Sequence, residues 1–317
     1  MKKIIYIAPA KIHLMGEHSA VYGKPALLAA IDKSLTVTIS DDTKTSETKT
    51  NFEFNNLDKF QEVIEEEIKK EYGVKTIPHY SIKIDSATPV GYGLGSSAAL
   101  SAAFTAALLS FLDIVFDNKA LFKVAYKGEQ FFHGNPSGGD LAVSIEGGLL
   151  YFRKEFEFLK NFSHLPFPIS QNIKQFVIIN SGKPDESTLE MVKNVGELKK
   201  ESPEKINAIF EDQELQTKNL VLSLKEGDED LLINTMKSGE KNLEKLNVVS
   251  KTAKEIIQKI EELGGSAKIQ GGGGIKNGSG MLLCYHSNPN ILLNFARKLG
   301  LESEAITIEE RGVIKKP

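Results

Sequence analysis

From Ser86 to Leu112 the chain carries no charged side chain, and the two halves of that stretch ask opposite things of the backbone. The first half holds Pro89, Gly91, Gly93 and Gly95, a composition that breaks regular helix. The second half, Ser96 to Leu112, is apolar nearly all round and reads as a helix buried on every side. It does not read as a membrane span, because Ala98 to Leu112 falls short of the roughly 20 residues a bilayer requires. The stretch therefore calls for a folded core that encloses a helix and is entered through a glycine turn. With 317 residues, 41% of them hydrophobic and 26% charged, the chain can build one.

Length alone predicts about two domains, and the change of texture along the chain places the boundary near residue 170, giving 1–170 and 171–317. Lys and Arg number 39 against 42 Asp and Glu, a net charge of −3. That balance lacks the basic surplus of a general nucleic-acid binder. The apolar run after Met1-Lys2-Lys3 is too short for a signal peptide and is interrupted by Lys11. A cytoplasmic protein with no membrane and no nucleic-acid partner is expected. The single cysteine, Cys284, permits no intrachain disulfide and reads as a small buried hydrophobe.

The amino-terminal half mixes periods. Lys3 to Ala8 is β-prone, and Leu35 to Ile39 and Tyr80 to Asp85 alternate as half-buried strands. Phe60, Val63, Ile64 and Ile68 share one face of a helix predicted over Leu57 to Tyr72, with Gly73 as its stop. Asp41 to Asn51 reads as a loop or exposed hairpin. Strands follow at Leu149 to Phe152 and Phe176 to Ile179, then charged helices from about Ser187 to Leu263. The tail returns to strand, helix and strand. The whole reads as mixed α/β.

Four segments concentrate chemistry. Pro9 to Leu27 places Lys11, His13, Glu17 and His18 within eight positions after a strand, either as a polar loop or as a grip on a small polar ligand. It has no H-E-x-x-H spacing for a metal. Gly91-Tyr92-Gly93-Leu94-Gly95-Ser96-Ser97 leads into the apolar helix. Glycines admit a ligand close to the backbone, and a helix start offers unpaired N–H groups and a favourable dipole, so this is the physics of a phosphate cradle. An ordinary turn capped by Ser96 or Ser97 is the alternative. Neither a Gly-Lys-Ser/Thr P-loop nor the third glycine of a dinucleotide fold is present. Glu129 and Asp140 bracket a Gly/Pro-rich loop, His133 to Gly139, that can present a general base and a Mg²⁺ ligand, or simply a solvated turn. Gly271 to Gly274 follows a short strand as a flexible loop or a second backbone cradle.

Taken in order, the A-K-x-x-x-x-G-E-H, G-L-G-S-S-A, P-S-G-x-D and poly-Gly segments resemble the GHMP kinase superfamily, most of all its mevalonate kinase branch. The branch is indicated by Gly16 to Ala26 and by His133-Gly134-Asn135-Pro136-Ser137-Gly138. The resemblance implies an α/β (α+β) GHMP kinase fold of two lobes with the active site in the inter-lobe cleft. It implies ATP as co-substrate, Mg²⁺ as cofactor, mevalonate as acceptor, and a homodimer. Under it Asp140 is the base or orienter of the acceptor hydroxyl and Lys11 stabilises developing negative charge. Gly91, Gly93, Leu94, Gly95, Ser96 and Ser97 wrap the ATP phosphates, and Ser97 and Glu129 hold Mg²⁺. Glu17, His18 and Thr188 position mevalonate.

The third and fourth segments depart from the family pattern. Gly139 and Leu141 flank Asp140 where a branched residue and an asparagine are usual, and Gly-Gly-Asp resembles some phosphomevalonate kinases, the alternative assignment. Gln270 and Gly272 replace Thr and Ala in the fourth motif, and Ile275 to Gly280 extends it.

Overall fold

The computed structural model describes residues 2–41, 49–50, 56–87, 93–134, 136–156 and 159–316. Its elements run β1 (Lys3–Met15), β2 (Ala26–Ser40), β3 (Lys49–Thr50), α1 (Leu57–Tyr72), β4 (Ser81–Ser86), α2 (Ser96–Phe111), α3 (Asn118–His133) and α4 (Gly139–Glu146). Then come β5 (Leu149–Phe156), β6 (Leu159–His164), β7 (Gln175–Asn180), α5 (Thr188–Glu201), α6 (Pro203–Glu226) and α7 (Glu229–Lys245). The chain ends with α8 (Lys251–Glu262), β8 (Ser266–Ile269), β9 (Met281–Tyr285), α9 (Pro289–Lys298), β10 (Ser303–Thr307) and β11 (Ile314–Lys315). Among the described residues no helix is long and apolar enough to cross a membrane.

Two compact units emerge, both discontinuous in sequence. The first comprises Met1–Lys11, Ala30–Leu149 and Glu309–Pro317, and the second Ile12–Ala29 and Leu150–Ile308. A single cut near residue 170 instead yields two continuous pieces, and so groups 12–29 and 150–170 with the first half.

In the first unit the sheet runs β11-β1-β2-β4-β3. The alternation read in Leu35 to Ile39 sets the register: Val37 pairs with Ile84 and Ile39 with Ile82, antiparallel. Leu35, Val37, Ile39 and Ile84 are fully buried, whereas Thr36 and Thr38 are only half-buried. Phe60, Ile64 and Ile68 of α1 join this core, as does Phe104 of α2. Helix α2 is buried almost throughout, as its uniform apolarity requires. The Phe60 ring stacks on Phe132 of α3 at 5.2 Å and meets Phe104 at 5.4 Å, locking α1, α2 and α3 together.

The second unit is built on an antiparallel sheet of order β10-β7-β9-β8. Val177 and Ile179 of β7 and Leu282 and Cys284 of β9 pack with Phe210 of α6 and Ile257 of α8. Cys284 has no exposed surface, and burial holds its thiol far above the usual range. Ser250 caps α8 by accepting from the Ala253 N–H, and Ser187 forms a reciprocal capping box with Glu190 at the start of α5.

Strand β1 does not stop at Ala8 but continues to Met15, so Lys11 and His13 lie on a strand and the loop begins only at Gly16. Ala8, Ala10, Ile12 and Leu14 alternate through it and are all buried, which carries the ladder past the polar residues between them.

Candidate active site

The first unit gathers one set of functional side chains. Gly95, in the left-handed region at φ +72°, is the residue from which α2 starts. A Cβ at that position would lie 2.6 Å from Cγ of Lys11 and 2.9 Å from its Cε, so only glycine admits the lysine stem against the helix start. The Lys11 N–H also donates to the Leu94 carbonyl at 3.0 Å. Thus the glycine turn opens α2 with no side-chain cap over its first N–H groups among the described residues, and seats the neighbouring strand in one stroke. Lys11 is buried, and its Nζ reaches Asp140 Oδ2 at 2.9 Å. Asp140 stands in the first turn of α4, after Gly138, and is one-third exposed. An ammonium that is buried and paired at this distance is held in one place, with its partner carboxylate open to an incoming ligand.

Ser97 stands in the first turn of α2, and its hydroxyl lies 3.0 Å from His133 Nε2 at the end of α3. Glu129, one helical turn before His133, is buried, and its Oε1 has no hydrogen-bond partner among the described residues. Burial, and next to it the nearby Asp140 charge, pushes Glu129 up to about 7, while Ser97, Lys11 and Ser101 pull it back. His133 is held below its usual value by burial above all, with Lys11 adding to the effect and Asp140 opposing it. Lys11, Ser97, Glu129 and Asp140 thus share one electrostatic neighbourhood. Ser96 is buried, Leu94 is buried and Gly93 has φ +83°. Gly91 falls outside the described residues, as does most of the segment from Asp41 to Asn51.

The second unit assembles the other set. Glu17 is buried and pairs with Lys268, a lysine with no exposed surface. Lys268 Nζ also donates to the carbonyls of His13 at 3.1 Å and Ile269 at 2.7 Å, so all three of its protons serve acceptors within the protein. Glu17 Oε2 is left without a partner among the described residues. Gln270 grips the same strand, accepting from the His13 N–H and donating to its carbonyl, both at 2.8 Å. His18 is buried with φ +59°, and its Nε2 lies 3.1 Å from the Gly272 carbonyl. Burial pushes its pKa down, against the opposing pull of that carbonyl and of Glu17. Tyr22 stacks on Phe210 at 4.7 Å and pins the loop that follows. Thr188 opens α5, is exposed, and sits against Gly272.

The poly-Gly loop is a fixed turn. A Cβ on Gly273, at φ +67°, would fall 2.1 Å from the Val248 carbonyl oxygen. The N–H groups of Ile275 and Lys276, in the extension, donate to the Glu186 carboxylate at 3.2 and 3.3 Å.

Lys268, Gln270 and His133 hold site residues in place without any role that their local sequence announces. Glu129 and His133, four apart on a helix, carried a signal in their spacing. Lys268 carried none, since a lysine beside a glycine run reads as exposed.

The model for the GHMP kinases N terminal domain matches residues 58–148. The mevalonate kinase of Pyrococcus abyssi is 32% identical over 305 residues, an alignment covering 86% of each chain. The chain belongs to the mevalonate kinase family. It is therefore a kinase, with ATP as its co-substrate. The fold agrees with solved members at low identity. The Methanococcus jannaschii mevalonate kinase superposes with a TM-score of 0.81 at 21% identity, covering 97% of this chain and 98% of that one. The L. major mevalonate kinase, solved in complex with R-mevalonate, gives 0.78 at 19% identity over 96% of each chain. The family's fold is thus shared across nearly the whole length.

Proposed function

We propose that this kinase transfers the γ-phosphoryl group of ATP to the terminal hydroxyl of mevalonate, giving 5-phosphomevalonate. The observation that carries the reading is the buried Lys11 held 2.9 Å from Asp140 beside the start of α2. Phosphoryl transfer needs placement and charge neutralisation more than covalent help. The acceptor oxygen bonds to the γ-phosphorus as the bond from that phosphorus to the β–γ bridging oxygen breaks, and the hydroxyl proton passes toward Asp140. Lys11 faces the charge that builds on the transferring oxygens. The N–H groups at the start of α2 receive phosphate oxygens.

The residues present also fit Mg²⁺. Among the described residues no cluster of three or more His, Cys, Asp or Glu side chains could hold a cation unaided. Ser97 Oγ and the unpartnered Glu129 Oε1 are hard oxygen donors of the kind Mg²⁺ takes one or two at a time, the remainder coming from phosphates and water. When bound, Mg²⁺ would neutralise charge on the β- and γ-phosphates.

Glu17, His18 and Thr188 are assigned to the acceptor. The mevalonate relatives support mevalonate as the acceptor, and so does the chemistry of the second unit. Phosphomevalonate, the second reading suggested by Gly139-Asp140, would require a cation for its own phosphate. Lys268, the cation beside Glu17, has spent its protons inside the protein. A cytoplasmic homodimer accompanies the family resemblance, and light scattering of the purified chain tests its stoichiometry. The deciding experiment compares ATP turnover with mevalonate and with phosphomevalonate, with Mg²⁺ supplied and then chelated. Mg²⁺-dependent turnover of mevalonate alone is expected; a preference for phosphomevalonate overturns the assignment.

A further inference from the structure

The Ser97 hydroxyl has a single proton and two neighbours that can compete for it. One is the carboxyl of Glu129, which the hydroxyl reaches as a hydrogen-bond donor. The other is His133, whose Nε2 lies 3.0 Å from Ser97 Oγ. The two competitors sit four residues apart on one face of α3, so both are aimed at the start of α2 by a single helix. The end of that helix is well anchored: Phe132, adjacent to His133, stacks on the buried Phe60.

A cation shared by Ser97 and Glu129 removes the choice. The serine oxygen must turn a lone pair to the cation, and its proton must turn away. Glu129 would then offer that cation its Oε1, which has no partner among the described residues, and could not take the proton without drawing it toward positive charge. The acceptor already in place on the other side is His133 Nε2. We infer that His133 is a positioning residue that accepts the Ser97 hydroxyl proton and thereby fixes Ser97 Oγ as a ligand to the cation. The ring then carries its own proton on Nδ1. This inference rests on the reading that Ser97 and Glu129 hold Mg²⁺. Partners of this kind, one bond removed from the ion, typically govern about 10- to 100-fold in metal affinity.

The test uses the full chain with His133→Phe, which keeps the ring volume and loses the acceptor, and His133→Gln, whose amide oxygen can still accept. Mn²⁺ binding in the presence of ADP is measured by electron paramagnetic resonance, alongside the Mg²⁺ concentration for half-maximal turnover and the KM for mevalonate. His133→Phe should bind Mn²⁺ about tenfold or more weakly and raise the Mg²⁺ requirement in proportion, with the mevalonate KM within twofold of wild type. His133→Gln should recover most of the loss. Wild-type Mn²⁺ affinity in His133→Phe overturns the inference, as does a glutamine variant no better than the phenylalanine one at an unchanged thermal midpoint. If the wild-type chain needs no divalent cation at all, the assignment of Ser97 and Glu129 fails first. A wild-type requirement left intact in both variants sinks only the role of His133.

Discussion

Gly95→Ala separates the backbone cost of the glycine turn from its effect on the site. Placing alanine at φ +72° costs about 1 kcal/mol, because the Cβ crowds the following carbonyl. The new methyl would also stand 2.6 Å from Lys11 Cγ, 2.9 Å from Cε and 3.3 Å from Cδ, where carbon atoms normally rest at about 3.5–4 Å. The lysine stem must therefore retreat by roughly 1 Å. Its Nζ sits 2.9 Å from Asp140, so the same displacement takes it out of hydrogen-bond reach. A misplacement of that size costs about 10²-fold in rate. Gly73→Ala is the matched control: its φ is +68°, and among the described residues nothing lies within 4 Å of the added methyl. Thermal unfolding and steady-state phosphorylation of mevalonate should both be measured. Each variant should lose about 1 kcal/mol of stability or a little more, but only Gly95→Ala should lose turnover, by about 100-fold. Wild-type kcat in Gly95→Ala, or an equal loss in Gly73→Ala, would refute the coupling between the turn and Lys11.

Asp140→Ala should lower kcat by about 10³-fold or more while KM for mevalonate moves only a few-fold, since the carboxylate acts as the hydroxyl loses its proton; initial-rate kinetics that show mainly a KM effect would count against it. Glu240, fully buried, accepts from the Ile269 N–H at 3.0 Å, and burial pushes its pKa up to about 8. The folded state therefore keeps a proton that the unfolded chain has already lost above the ordinary carboxylate range, so stability falls as pH rises toward about 8 and levels off above it. Glu240→Gln should lose that slope, gaining on wild type between pH 5 and pH 8; a difference in thermal midpoint that stays flat with pH would contradict this. Phe60→Ala, at the junction of three helices, should cost about 3–5 kcal/mol in unfolding free energy, and a loss under about 1 kcal/mol would mean the rings repack freely.

Much of this was legible because periodicity is a direct imprint of burial. Helix α1 spans the stretch predicted for it, since Phe60, Ile64 and Ile68 repeat every four residues and Gly73 ends the run. Helix α2 was equally plain, as nothing but a core can take a helix apolar on all sides. The local pattern ends strand β1 too early because Lys11 and His13 look like loop residues until their partners are seen, Asp140 for one and Gln270 for the other. The charged cluster of the second unit was the least readable. A lysine without exposed surface, such as Lys268, is tolerable only when carboxylate and carbonyl acceptors converge on it from residues far away in sequence, and no local pattern records that convergence. Order and spacing of motifs mark the candidate residues; the contacts that hold them in place join segments far apart in sequence.

The seclusion of Cys284 has a practical corollary. With its thiol enclosed between β-sheet and helices, and with no other cysteine in the sequence, the native chain offers maleimides nothing to attack. A cysteine introduced on an exposed helix would become the sole attachment point for a fluorophore or spin label. Distance measurements across the catalytic cycle could then begin from the unaltered background, with no need to strip the natural thiol first.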